Sequence, residues 1–211
     1  MIDSDTRLRV ASSIAKNETE ASQRVFATLK ERGHPDKPPP TISDGWGGIR
    51  EAMVEVYGQV PSYSGRGRPP TIKRPGKDWQ YLQMVKQREN GRVTGTELRV
   101  IYGNKADVLA LLGKSTSYIE RSNLTSRHFN SRLTRKTLAF SKTIAMHKAA
   151  AVLEDGYYNL VRPHKSLRQE VNESDRRWQP RTPAMTSALT DHIWTAKELL
   201  SKIPIPNVSN T

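Results

Sequence analysis

The chain has 211 residues, and its 34 Lys and Arg against 21 Asp and Glu give a formal net charge of +13 and a pI near 10.1. A charge this positive favours a polyanionic partner, either nucleic acid or an anionic membrane surface. The absence of cysteine excludes disulfides and thiolate zinc sites within the chain, and no apolar run approaches the ~18 residues that indicate a membrane span.

The N-terminal segment predicts a strand followed by a helix. Apolar and polar residues alternate from Thr6 to Ala15, which is typical of a strand with one buried face. Its exposed face carries Arg7 and Arg9. Asn17 is then expected to cap a helix with acids in its first turn, and Gly33 ends that helix.

A second strand, within PTISD, stops at Asp44 and leads into the glycine-rich turn GWGG, which lets the backbone approach a ligand closely. A helix closed by Gly58 follows. Residues 62–77 have no periodicity and carry five bases. This segment is either a mobile basic loop over nucleic acid or a solvated linker.

The second half predicts a hairpin followed by helices. Asn90-Gly91 is a strong turn signal between the strands Trp79–Arg88 and Thr96–Tyr102. Three helices follow: a short one that ends at Gly113, one that begins near Glu120, and a long one from about Leu138 to Tyr158, which Pro163 stops. Strands mixed with covering helices predict an α/β fold.

Two acids stand out by their positions, Asp44 at a strand end and Glu120 in the first turn of a helix. Residues 121–153 carry seven bases and no acid. The two carboxylates could supply oxygen ligands to Mg²⁺, and a pair of such ions can activate a water or a 3′-hydroxyl in phosphodiester chemistry. The alternative interpretation is structural, because strand-end Asp is common in turns and first-turn Glu is favoured by the helix dipole.

The helix that begins near Glu120 presents a polar face. Asn123 and Arg127 follow Glu120 at helical spacing, so the three side chains lie on one side of the helix. This arrangement suits a metal ion with an adjacent phosphate. A solvated base is the alternative interpretation of Arg127.

These motifs resemble a known family. SYIERSNLTSRHFNSRLTRKTLAFSKTIAMH, followed by YYNLVRPHKSLR, resembles the C-terminal part of insertion-sequence DDE transposases, which share the fold of ribonuclease H and retroviral integrases. TISDGW is similar to the second-Asp strand of that family, and RTPAMTSALTDHIWTAKELL to its C-terminal tail. The resemblance runs from Thr6 to Leu200 and implies a ribonuclease H-like mixed sheet with helices on both faces.

The resemblance also implies a function. Such enzymes cut DNA at transposon ends by hydrolysis and join the freed 3′-hydroxyl to target DNA. Three acids of the family hold two Mg²⁺ (or Mn²⁺) ions, and Asp44 and Glu120 match the second and third acids. The expected partners are DNA, both transposon ends and target, and either further copies of the chain or a separate N-terminal half. The expected location is the cytoplasm, at the nucleoid, with no membrane association.

The N-terminus departs from the family pattern. The chain begins at or just before the family's second strand, so the first strand and its Asp are missing, and neither Asp3 nor Asp5 matches that ligand. We therefore expect an N-terminally truncated fold that is incomplete as an enzyme. Its predicted parts are a partial catalytic domain, 1–168, with the basic loop 62–77 inserted, and a C-terminal extension, 169–211.

Several basic and polar side chains are predicted to bind DNA. They are Asn123, Arg127, Arg66, Arg68, Lys73, Arg74, Arg162 and Lys165. RPHKSL could contact phosphate through Arg162, His164 and Lys165. A structural role is the preferred interpretation of this motif, because Pro163 ends the long helix and His164 can cap it.

Two other functions fit the same charge. A catalytically inactive remnant could bind DNA or a full-length transposase, and its DNA binding would be sensitive to salt. An unrelated RNA-binding protein is the third hypothesis, but the three Phe residues are scattered along the chain rather than arranged in a stacking motif.

Overall fold

The computed structural model of the protein describes residues 1–65, 67–112, 117–134, 136–171 and 177–202. The chain divides into two units, the first formed by Met1 with Ala11–Ile119 and the second by Ile2–Val10 with Glu120–Thr211. Helices and a mixed sheet confirm the predicted α/β class. The ribonuclease H-like topology, the truncation and the domain boundary at residue 168 stay predictions.

The first unit contains a three-stranded sheet in the order β1-β2-β3. The short strand β1 runs parallel to β2, and β2 is antiparallel to β3. The elements of this unit are α1 (Glu18–Arg32), β1 (Thr41–Asp44), α2 (Gly48–Tyr57), β2 (Tyr81–Glu89), β3 (Arg92–Tyr102) and α3 (Lys105–Leu112).

Local signals explain the ends of these elements. The Asn17 side chain accepts a hydrogen bond of 2.8 Å from the Glu20 N–H and so caps α1 as predicted. Asn90 and Gly91 have φ angles of 49° and 78°, which form the tight turn that joins β2 to β3. The predicted hairpin is therefore confirmed, with β3 starting at Arg92 rather than Thr96.

An aromatic chain forms the core of the first unit. Phe26 of α1 meets Tyr57 of α2 edge to face with 6.4 Å between ring centroids, and Tyr57 meets Trp79 at the same distance. Trp79 continues to Tyr102 at 5.5 Å. Burial raises the pKa of Tyr57 to about 12. Edge-to-face contacts between these large aromatic rings thus pack the sheet against α1 and α2.

The second unit is helical. Its longer helices are α4 (Ser117–Phe129) and α5 (Ile144–Gly156), and the latter continues as a π-helical turn, Tyr157–Val161. The remaining elements are two 3₁₀ turns, Ser131–Leu133 and Lys165–Leu167, a small antiparallel pair, β4 (Gln169–Glu170) and β5 (Trp178–Gln179), and two short helices, α6 (Pro183–Thr186) and α7 (Ala196–Lys202). The short helices pack on the π-helical turn.

The predicted strand Thr6–Ala15 is wrong. In this segment only Arg9 makes a β-bridge, and its partner is Ile2 across a tight turn in which Arg7 has a φ of 62°. Arg9 was expected on the exposed face, but its side chain is 7% exposed. The alternation was misleading because an arginine can occupy a buried position when its charge is ion-paired and its donors are hydrogen-bonded.

The predicted helix Leu138–Tyr158 begins later than expected. α5 starts at Ile144, and the Thr143 side chain caps it by accepting a hydrogen bond of 3.3 Å from the Met146 N–H. The preceding backbone is not helical, because Thr137 accepts a local hydrogen bond from the Ala139 N–H. The helical backbone ends at Val161, so the predicted stop before Pro163 is confirmed.

Among the described residues, no helix combines the length and the apolar character that a membrane span requires.

Candidate functional site

Asp44 is the last residue of β1 and is exposed to solvent. Its Oδ1 accepts a hydrogen bond of 3.3 Å from the backbone N–H of Trp46, which is the turn geometry that a strand-end Asp commonly adopts. In this turn the Trp46 ring packs directly against the backbone of Gly48, since a Cβ at Gly48 would lie 2.3 Å from the ring. The carboxylate is therefore held from one side by the turn while it faces water.

A buried polar network supports the Asp44 strand from below. Ser43 Oγ lies 2.8 Å from Tyr81 Oη, and the Gln83 side-chain amide donates to Tyr81 Oη at 2.9 Å and to the Trp46 carbonyl at 3.1 Å. Burial raises the pKa of the Tyr81 hydroxyl. Sequence reasoning missed Tyr81 and Gln83, although a Gln within an apolar strand is a signal of a buried polar role.

Glu120, Asn123 and Arg127 are all exposed on α4, as their spacing predicts. The opposite side of the helix carries Ser122, which is buried, and Ser126. The predicted polar face of α4 thus exists. Its orientation depends on the contacts of Ser122 and Ser126, which form the serine side of the helix.

The serine side of α4 is bound by Arg9. The Arg9 guanidinium donates to Ser122 Oγ at 2.8 Å, to the Ser122 carbonyl at 3.1 Å and to Ser126 Oγ at 2.9 Å. Its Nη1 also forms ion pairs with Glu154 at 2.6 Å and Asp155 at 2.9 Å on α5. Ser126 Oγ donates to Glu154 as well, at 2.9 Å. One arginine therefore fixes α4 against α5.

The backbone of Arg9 is fixed as firmly as its side chain. The Asn159 amide accepts from the Arg9 N–H and donates to the Arg9 carbonyl, each at 3.0 Å, so it replaces a neighbouring strand. The guanidinium also lies 3.9 Å from the centroid of the Tyr158 ring. Sequence reasoning missed that Arg9 is the partner of Tyr158 and Asn159.

The basic loop contributes unequally to the surface. Arg66 lies outside the described residues, whereas Arg68 is exposed. Lys73 forms an ion pair of 2.7 Å with Glu55. Arg74 has an exposed side chain, and its backbone pairs with that of Gln59. The loop is thus attached at two points, to Glu55 of α2 and to Gln59 two residues after that helix, rather than being a free linker along its whole length.

The RPHKSL motif has both buried and exposed members. The Arg162 guanidinium lies 4.5 Å from the centroid of the Phe129 ring at the end of α4, and Lys165 is exposed. His164 meets Tyr158 edge to face at 4.6 Å. Burial, together with the positive charge of Arg162, lowers the pKa of His164 to about 4. The histidine therefore packs as a neutral aromatic ring, and its side chain does not cap a helix.

Asp44 belongs to the first unit and Glu120 to the second. Across the described ranges, no three His, Asp or Glu side chains are grouped in a way that could hold a metal ion. The metal-ligand and DNA-binding roles assigned from the sequence stay predictions.

Comparison with known proteins gives one match. The family model described as IS1 transposase matches residues 96–158, a segment that begins within β3 and contains α3, α4 and α5. No curated protein and no solved structure gives a significant match. The matched segment includes Glu120, Asn123 and Arg127 and is similar to insertion-sequence transposases of this family.

Proposed function

We propose that the protein acts in DNA transposition as a DDE-type transposase, which cleaves DNA at transposon ends and joins the 3′-hydroxyl to target DNA. The observation that carries this proposal is the match of residues 96–158 to the IS1 transposase family, because it includes the helix with Glu120. We further propose that the α/β arrangement is ribonuclease H-like.

Asp44 and Glu120 each supply a carboxylate to Mg²⁺ or Mn²⁺ in this proposal. Both side chains are exposed, and among the described residues the hydrogen bond that the Asp44 carboxylate accepts comes from Trp46. Carboxylate oxygens are the donors that these hard cations prefer. When bound, such ions activate the attacking oxygen and stabilise the leaving oxygen of a phosphodiester.

The exposed bases hold the DNA backbone. Arg127 shares a helix face with Glu120, so it is placed to contact a phosphate beside the carboxylate. Arg68, Arg74 and Lys165 are exposed and can contact phosphates elsewhere on their own units. The Lys73–Glu55 ion pair is solvated and weak, so Lys73 can exchange this partner for a phosphate.

The test compares Asp44→Asn and Glu120→Gln with two matched exposed acids, Asp36→Asn and Glu51→Gln. The activity measured is nicking of supercoiled plasmid and transfer of a 3′-hydroxyl oligonucleotide to it, with Mg²⁺ or Mn²⁺ and with the family's first strand and its Asp supplied as a separate segment. We expect both site variants to lose at least 100-fold in rate, while the control variants retain the wild-type rate. Mn²⁺ binding, followed by electron paramagnetic resonance, should weaken in the same two variants.

The opposite outcome identifies the competing function. If the wild-type protein binds plasmid in a salt-dependent manner, yet neither nicks it nor responds to the two carboxylate substitutions, the protein is a DNA-binding component of transposition rather than its catalyst.

A further inference from the structure

The segment between the Ser131–Leu133 turn and α5 exposes large apolar side chains. Leu138 is 97% exposed and Phe140 is 64% exposed. Each is surrounded by water at a free-energy cost, and neither contributes to the core of the second unit. Large apolar side chains that are this exposed and lie two residues apart indicate a contact surface.

The backbone that carries these side chains is ordered by local contacts. The Arg132 guanidinium donates to Ser141 Oγ at 3.0 Å, and Thr137 accepts from the Ala139 N–H at 3.0 Å. Lys136 has a φ of 55°, which is unfavourable for a residue with a side chain. Leu138 and Phe140 therefore lie in a loop whose backbone is fixed by hydrogen bonds.

Charge identifies the chemistry of the partner. Residues 121–153 carry seven bases and no acid, and Arg132, Lys136 and Lys142 flank the two apolar side chains. If a second copy of the chain docked here through the same surface, these bases would lie against the same bases of that copy, which is electrostatically unfavourable. The surface therefore fits a polyanion that also offers an apolar surface.

In DNA, the face of a base is open to an aromatic side chain where that base is unpaired. In an intact duplex the faces of the bases are stacked, but an unpaired base can stack on an aromatic side chain while lysines and arginines bind the adjacent phosphates. The segment lies within residues 96–158, the match to a family that acts on DNA.

We propose that Phe140 and Leu138 contact an unpaired base of DNA, with Arg132, Lys136 and Lys142 on the phosphates beside it. This inference rests on the proposed function and extends it from general DNA binding to a preference for DNA that is locally unpaired. Phe140 supplies the stacking face, and Leu138 covers the neighbouring apolar surface.

The experiment uses two DNA duplexes of the same length, one fully paired and one with a single unpaired 2-aminopurine. Binding is measured by fluorescence anisotropy at one salt concentration for the wild-type chain and for Phe140→Ala, Leu138→Ala and Phe140→Trp. Leu189→Ala is the matched control, since Leu189 is 68% exposed and lies outside the basic loop and the residues predicted to bind DNA.

We expect the wild-type chain to bind the unpaired duplex about tenfold more tightly than the paired one. Phe140→Ala should abolish this preference without changing affinity for the paired duplex, and Leu138→Ala should reduce it. Phe140→Trp should preserve the preference for the unpaired duplex. It should also change the 2-aminopurine fluorescence in the same direction as the wild type does. Leu189→Ala should behave as wild type.

Each of the following results would overturn the inference. Equal wild-type affinity for the two duplexes, or an equal loss on both in Phe140→Ala, would show that no unpaired base is recognised. A change of oligomeric state in Phe140→Ala by sedimentation would identify a second copy as the occupant. Binding to phosphatidylserine vesicles that Phe140→Ala removes would identify a lipid surface. Failure of the wild-type chain to bind either duplex would overturn the proposed function as well.

Discussion

The interior of each of the two units is stabilised by a different kind of contact. The first is built on aromatic rings, in which Phe26, Tyr57, Trp79 and Tyr102 meet edge to face in sequence. The second is organised around one guanidinium, that of Arg9, which binds two serines and two carboxylates. An apolar core of this kind excludes water, whereas the polar network specifies which side chains must meet.

The difference bears on how each candidate carboxylate is presented. Asp44 lies at the end of a strand whose position follows from packing of the sheet on large rings. Glu120 lies on a helix whose rotation is set by directional hydrogen bonds from Arg9 to Ser122 and Ser126. Loss of packing should therefore loosen the first unit as a whole, while loss of the guanidinium should release one helix face.

The largest effect is expected for Trp79→Ala. Trp79 is 2% exposed and contacts both Tyr57 and Tyr102. Truncation should lower the free energy of unfolding of the first unit by about 3–5 kcal/mol, because it removes apolar contacts and leaves a cavity. Hydrogen–deuterium exchange, measured by mass spectrometry, should rise throughout β2 and β3.

The matched control for this variant is Tyr63→Ala, since Tyr63 is an aromatic residue of the same unit that is half exposed. Its substitution should change stability by no more than about 0.5 kcal/mol. If Trp79→Ala is as mild as this control, the aromatic chain does not form the core of the first unit.

A smaller effect, about 3 kcal/mol, is expected for Arg9→Met. Removal of the cation leaves Glu154 and Asp155 partly buried without their partner, and the loss of one member of a buried ion pair is strongly destabilising. Exchange protection should fall first in α4 and α5. The comparison with Trp79→Ala is sharpened by a second variant, Arg9→Met with Glu154→Gln and Asp155→Asn.

Neutral side chains no longer repel one another, so the triple variant should recover more than half of the lost stability. It should not restore the orientation of α4, because Met cannot donate hydrogen bonds to Ser122 and Ser126. Exchange in α4 should therefore stay above the wild-type rate. Recovery of both stability and protection would contradict the assignment of a directional role to Arg9.

Local signals made part of this structure predictable. Asn17 caps α1 and Asn90-Gly91 forms the hairpin turn, and both features depend on residues within a few positions of each other. Asp44 was found at its strand end for the same reason. Such features need no knowledge of the rest of the chain, since the side chain and its backbone partner are neighbours.

Contacts between distant residues were not predictable in the same way. Arg9 and Glu154 are separated by 145 positions, so the alternation around Arg9 suggested an exposed strand face instead. The start of α5 was placed too early because the apolar residues before Thr143 suggested a continuous helix, while local hydrogen bonds favour a turn. The ion pair between Lys73 and Glu55 likewise depends on where the loop meets α2.

The smallest effect concerns pH and His164. Its pKa is lowered to about 4 in the folded chain, below the ordinary value of 6.5, because the ring is buried beside Tyr158 and near Arg162, Arg9 and Arg7. Between these two values the unfolded chain binds a proton that the folded chain does not bind. Stability should therefore fall as the pH is lowered from about 6.5 towards 4.

His164→Phe retains an aromatic ring against Tyr158 but cannot bind a proton, so its loss of stability over this range should be smaller than that of the wild type. Urea unfolding at pH 7, 5.5 and 4.5 measures the difference. His192 is the matched control, because the hydrogen bonds that its ring donates to the carboxylates of Asp191 and then Glu198 raise its pKa, so its contribution is lost as the pH rises. If His164→Phe and the wild type lose stability in parallel on acidification, the ring of His164 is not held neutral by its surroundings.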